Sequence, residues 1–95
     1  MKRLVVVLTV KDEAHIDSVL DHLKKLAEKT RAEPGCQAFE VLQRADEPQT
    51  FVLNETWESA EAHAVHREAA ACKEIYEPLV LPLVDRVAWP LNQVE

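Results

Sequence analysis

Arg3-Leu-Val-Val-Val-Leu-Thr-Val10 is the stretch whose reading decides the fold. β-Branched residues dominate it and Lys11-Asp12 bounds it, so it reads as a strand. Its apolar residues do not alternate with polar ones. Leu4, Val6, Leu8 and Val10 share one face, while Val5 and Val7 occupy the other. A strand that is apolar on both faces needs cover on both.

Downstream of it, Asp12 is an N-cap, and Ile16, Val19, Leu20, Leu23, Leu26, Ala27 and Thr30 recur at helical spacing. Pro34 disfavours helical geometry at Glu33, and Gly35 suits a left-handed turn, so this helix stops near Ala32. A second strand spans Cys36 to Arg44, with Phe39 and Val41 on one side and Ala38 and Leu42 on the other. After the hairpin loop Ala45–Gln49 comes a third, Thr50 to Trp57, with Phe51, Leu53, Glu55 and Trp57 on one face. Ser59 caps a second helix whose inward stripe is Ala62, Val65, His66, Ala69, Cys72 and Tyr76. Ile75 fits that stripe poorly, which predicts a break between Lys73 and Glu77, a short turn begun by Pro78, and an end at Pro82. Val84 to Trp89 is a fourth strand, closed by Pro90.

The order β-α-β-β-α-β predicts an α+β, ferredoxin-like antiparallel sheet with both helices on one face, in one domain over residues 1–95. Two helices cover one side of four strands. The other side would still present Val5, Val7 and Val52, an apolar patch too large for a bare monomer. A second copy of the chain, sheet against sheet, is the expected partner, forming a homodimer.

Composition narrows the function classes. The 95 residues carry 11 Lys and Arg against 17 Asp and Glu, a formal charge of −6, so nucleic acid and anionic membrane are not expected partners. One glycine in the chain rules out a glycine-rich phosphate cradle. The start, Met1-Lys-Arg and then Leu4 to Leu8, has neither a long apolar core nor a small-residue cleavage site. Cys36 and Cys72 show no metal spacing and read as reduced thiols in a cytoplasmic protein.

Glu33-Pro-Gly-Cys36, the strand Phe39-Glu-Val41, Asn54-Glu-Thr-Trp-Glu-Ser59 and a histidine nine residues after the tryptophan form a combination that resembles the antibiotic biosynthesis monooxygenase family. The resemblance covers nearly the whole chain. It implies a dimeric α+β barrel and a choice of chemistries: oxidation of quinols or polyketide aromatics without metal or bound flavin, haem degradation, or isomerisation of a phosphorylated signal. The haem-degrading members carry an asparagine in the first strand and a late ligating histidine, which Arg3–Val10 and Lys73–Val84 lack. Many members carry a second histidine where this chain has Ala71, which weakens any mechanism requiring two.

The candidate catalytic residues are His66 and Glu55. His66, flanked by Ala62, Ala69 and Ala70, is either a base in a dry pocket or a core histidine partnered by Glu55. Glu55, on an otherwise apolar strand face, is either a base raised by desolvation or a structural partner of His66 or Arg86. Trp57, Phe39, Leu53, Val65 and Tyr76 are the expected substrate-binding side chains, with Trp57 and Phe39 as an aromatic wall; the alternative for Trp57 is a large core or interface side chain, and for Tyr76 a core role. His63 points to the polar flank, and His63 with His66 lacks the further ligands of a metal site, so neither metal nor cofactor is expected. The function this implies is a cofactor-independent monooxygenase acting on a quinol or other electron-rich aromatic. The same pocket serves two alternatives: an isomerase of a small hydroxy-ketone, or a non-catalytic dimeric module that binds a small ligand.

Overall fold

The computed structural model describes residues 1–95. Strand β1 (Lys2–Val10) is followed by a 3-10 turn (Glu13–His15) and helix α1 (Ile16–Arg31). Strands β2 (Cys36–Gln43) and β3 (Thr50–Trp57) form the hairpin. Helix α2 (Ala60–Glu68), a π-helical segment α3 (Ala71–Val80), a 3-10 turn (Leu81–Leu83) and strand β4 (Val84–Leu91) complete the chain. The sheet runs β2-β3-β1-β4, antiparallel throughout, as the ferredoxin-like reading requires.

Local signals act where the sequence places them. Asp12 accepts a hydrogen bond from the Ala14 amide at 2.9 Å, and Ser59 accepts one from the Ala62 amide at 3.1 Å. α1 buries Val19, Leu23, Leu26, Ala27 and Thr30, one stripe at three- and four-residue spacing. Against it lie Leu4, Val6, Leu8 and Val10 of β1, Phe39 of β2, Phe51, Leu53 and Trp57 of β3 and Val84 of β4, which with the helices form a core of 16 residues.

Two elements depart from the sequence reading. The second helix breaks at Ala69, earlier than expected; Ala69 is extended (φ −78°, ψ 165°). Had α2 run on, His63 and His66 would share their face with Ala70, Lys73 and Glu77. The break resets the phase, so that Ala71, Cys72, Ile75 and Val80 turn inward. In α3 the wider π turn repeats a face every four to five residues, roughly, which is why Ile75 packs well although it misfits a 3.6-residue stripe. Pro78 does not begin a new turn but sits inside α3, where the wider turn relieves the clash of its ring with the preceding turn. The second departure is β4, which passes through Pro90 to Leu91. β4 is an edge strand, so the amide that proline lacks is not needed by a neighbour.

The sheet face away from the helices is open. Val5 pairs across to Trp89, and Val7 to Val87 and Val52. Leu42, Val87, Trp89 and Leu91 are each 44–50 % exposed there. No helix is long and apolar enough to cross a membrane.

Candidate functional site

The site begins with a turn. Gly35 adopts φ +79°, and a Cβ there would stand 2.5 Å from the Ala62 side chain. The Gly35 carbonyl also accepts the Glu58 amide at 2.8 Å. The Glu33-Pro-Gly turn is thus clamped against the start of α2, and this brings Glu33 to His66, one helical turn further along.

His66 Nδ1 lies 2.5 Å from Glu33 Oε1. An ionised carboxylate only accepts, so Nδ1 carries the proton that the bond uses. Nε2 is then the basic nitrogen, and it lies 3.3 Å from Cys72 Sγ. Burial, helped by Glu33 and Glu55, pushes the Cys72 thiol up to about 12. It remains a protonated, weak donor to Nε2, and its proximity to an imidazole does not make it a nucleophile.

Glu55 is 5 % exposed, and Oε1 accepts the Trp57 indole N–H at 3.0 Å. Burial raises its carboxyl above the usual range, opposed by the Trp57 hydrogen bond and the His66 and Arg86 charges. The partner expected for His66 was Glu55; the bonded partner is Glu33. Glu55 is bonded instead to Trp57, two residues along on the same strand face. In the sequence Glu33 stood before Pro34 in the family-like Glu33-Pro-Gly-Cys36 motif, but its pairing with His66 comes from the turn's packing on α2.

These side chains border a cavity of about 420 Å³ between the sheet and the helices. Leu4, Leu26, Phe39 and Leu53 form its apolar floor, with Glu55, His63, His66, Cys72 and Tyr76 on the walls and Arg67, Glu77 and Arg86 among its bordering residues. Phe39, Leu53 and Tyr76 therefore stand where the sequence reading put them. Tyr76 accepts a hydrogen bond from Arg86 Nε at 2.8 Å, and burial raises its phenol, keeping it neutral.

Two expected binding residues do not line the cavity. Val65 is 63 % exposed on the outer side of α2, because the break at Ala69 makes His63 and His66 the inward pair. Trp57 is fully buried behind the wall, its ring 4.5 Å from that of His66. It supports the imidazole and offers no face to a ligand. His63 is the converse correction: it is buried on the cavity wall, 5.8 Å from the Trp57 ring, with no hydrogen-bond partner for Nδ1. Burial, with Lys2, Arg67, His66 and Arg86, lowers its pKa to about 4, so it is a neutral imidazole at pH 7. No group of three or more His, Cys, Asp or Glu side chains is arranged to hold a metal.

A family model for antibiotic biosynthesis monooxygenases matches residues 1–78. The crystal structure of an antibiotic biosynthesis monooxygenase is 26 % identical, with 100 % of both chains covered and a TM-score of 0.92. A conserved protein of Methanosarcina mazei Go1 is 22 % identical, over 98 % of this chain and 94 % of that one, at a TM-score of 0.83. A mutant of SnoaB, a cofactor-independent oxygenase of Streptomyces nogalater, is 14 % identical over 99 % and 93 % of the two chains, at a TM-score of 0.84. The last two likenesses carry the fold alone. Among curated proteins no relative matches. With the family match running from β1 into α3, across every residue of the His66 dyad and its supports, the chain belongs to the antibiotic biosynthesis monooxygenase family.

Proposed function

We propose that the protein is a cofactor-independent monooxygenase whose substrate is a quinol or another electron-rich phenol. The observation that carries the reading is the hydrogen-bonded dyad of His66 and Glu33, set in the wall of a largely apolar cavity. A deprotonated phenol or hydroquinone can pass an electron to oxygen directly, so the protein has to bind it, remove a proton and exclude water. Glu33 fixes the tautomer in which Nε2 faces Cys72, a weak donor that a substrate hydroxyl can displace. The positive charge His66 gains on taking that proton is stabilised by the Glu33 carboxylate. Glu55, buried beside the dyad, is the second proton-accepting group. Phe39 and Leu53 give the ring an apolar seat, and the volume suits one small aromatic molecule.

The active form in this reading is a homodimer joined through the open sheet face. Val5, Val7, Val52, Leu42, Val87, Trp89 and Leu91 make a continuous apolar surface there, the kind that marks an association site. Light scattering should give a mass near twice 10.8 kDa, and Val52→Asp should lower it to that of the monomer.

The test of the activity is oxygen uptake by the purified protein with a panel of quinols and phenols. Uptake that saturates with one of them and falls away in His66→Phe supports the oxygenase. Turnover of a hydroxy-ketone without oxygen uptake would replace it with the isomerase reading. Binding without turnover would leave a ligand-binding module.

A further inference from the structure

The cavity is graded from floor to rim. Leu4, Leu26, Phe39 and Leu53 at its floor are at most 6 % exposed. The bordering residues Arg67 and Arg86, one at the end of α2 and one on the helix-side face of β4, are exposed. These are cations on a protein of net charge −6, and neither forms a salt bridge, although the Arg86 charge acts on the buried Glu55 carboxyl. The chain's salt bridges are Arg44–Asp46, His66–Glu33, Lys73–Glu68 and Lys73–Glu77. Glu77, the acidic residue that shares the rim, is held by Lys73 at 3.2 Å. Arg86 spends its Nε hydrogen on Tyr76 and leaves both terminal nitrogens without a protein acceptor. The C-terminal dipole of α2 accounts for a cation in its last turn but not for two guanidinium groups converging on one cavity. Both border the same cavity as His63 and His66.

We infer that the Arg67–Arg86 rim binds an anionic substituent of the ligand, so that the substrate is an aromatic bearing a carboxylate, its ring on the Phe39 and Leu53 floor and its carboxylate between the two guanidinium groups. This deepens the proposed function, on which it rests for the identity of the ring. Guanidinium and carboxylate match as planar, charge-assisted partners. Two of them at the mouth of the cavity, without salt-bridge partners, would also steer an anion towards it.

The test is anaerobic calorimetry with a matched pair, hydroquinone and 2,5-dihydroxybenzoate, which differ by one carboxylate. At low salt the carboxylate ligand should bind at least about tenfold more tightly, a difference of one decade in Kd. Raising the salt should shrink that ratio, because exposed charges are screened. Arg67→Gln and Arg86→Gln should each lower the ratio and the double variant should bring it to one, while Arg44→Gln, remote from the cavity, should leave it in place. Equal affinities in the wild type, a preference for hydroquinone, binding of neither, or a ratio indifferent to salt overturns the proposal. The salt series needs no variant and so does not depend on their folding. Because oxygen is absent, the outcome is independent of turnover. A strong carboxylate preference with no oxygen uptake would sink the oxygenase reading alone, whereas uptake with no preference would sink the rim alone.

Discussion

Phe51 and Glu55 lie four residues apart on the same face of β3, and they belong to two differently built halves of one helix–sheet layer. Around Phe51 the layer is dry: Leu8, Val19, Leu23, Phe51 and Val80 are 0 % exposed and wholly apolar. Around Glu55 it holds Trp57, His63, His66 and Cys72, opens into a cavity, and leaves a buried imidazole nitrogen without a partner. The first half is close-packed and stabilises the fold. The second half gathers polar groups whose burial costs free energy, the pattern of a candidate site.

Substitutions can break that contrast, beginning with the dry half. Phe51→Ala leaves a cavity where nothing can collapse into it, and should lower the unfolding free energy by about 3–5 kcal/mol. Urea denaturation at fixed protein concentration measures it, and a loss under about 1 kcal/mol would mean the dry half is not the stabilising one. Next comes Gly35→Ala, at the clamp between the two halves. A positive φ costs an alanine about 1–2 kcal/mol, and the 2.5 Å approach to Ala62 adds to it. The same change should displace Glu33 from His66, so oxygen uptake should fall together with stability.

The cavity half responds to pH. His63 titrates at about 4 in the folded protein and near 6.5 when unfolded, so the unfolded chain binds more protons between those values. The stability this gives is complete above pH 6.5 and is lost as pH falls towards 4. Glu55, raised in the folded state, contributes the opposite slope from its ordinary 4.5 upwards, so His63 is isolated by difference. Stability measured from pH 4 to 7 should rise less steeply in His63→Phe than in the wild type. Identical slopes would mean that His63 is hydrated. The smallest expected effect is Thr30→Val on α1. Thr30 Oγ1 is buried with no partner, and an isosteric methyl should raise stability by about 1 kcal/mol. A loss would reveal a hydrogen bond there.

The two halves also differ in how far their sequence could be read. Period-two and 3.6-residue patterns report burial, so β1, α1, the faces of β2 and β3, and the caps Asp12 and Ser59 were all legible. The site was legible only in part. His66 and Glu55 stand out as polar residues on apolar faces, and both border the cavity. The extended Ala69 and the π turn of α3 follow from packing against the sheet, not from local propensity. A stripe drawn through an unbroken helix therefore turned Val65 inward and His63 outward. Glu33 reaches His66 across 33 residues of chain, a contact made by the Gly35 clamp and by no periodicity. A single aromatic at a strand end reads more readily as core than as wall, and Trp57 is core: it is fully buried, bonded to Glu55 and packed on His66.

The claim that the His66–Glu33 dyad is kept for chemistry is tested most directly by Glu33→Gln, with oxygen uptake and unfolding free energy measured side by side. The glutamine carbonyl can still accept the Nδ1 proton, so the fold should stay within about 1 kcal/mol of the wild type. The negative charge that stabilises the imidazolium is gone, so uptake of oxygen with the best quinol should fall by at least about 100-fold. Unchanged uptake with a marked loss of stability would contradict the account and make the dyad a structural pair.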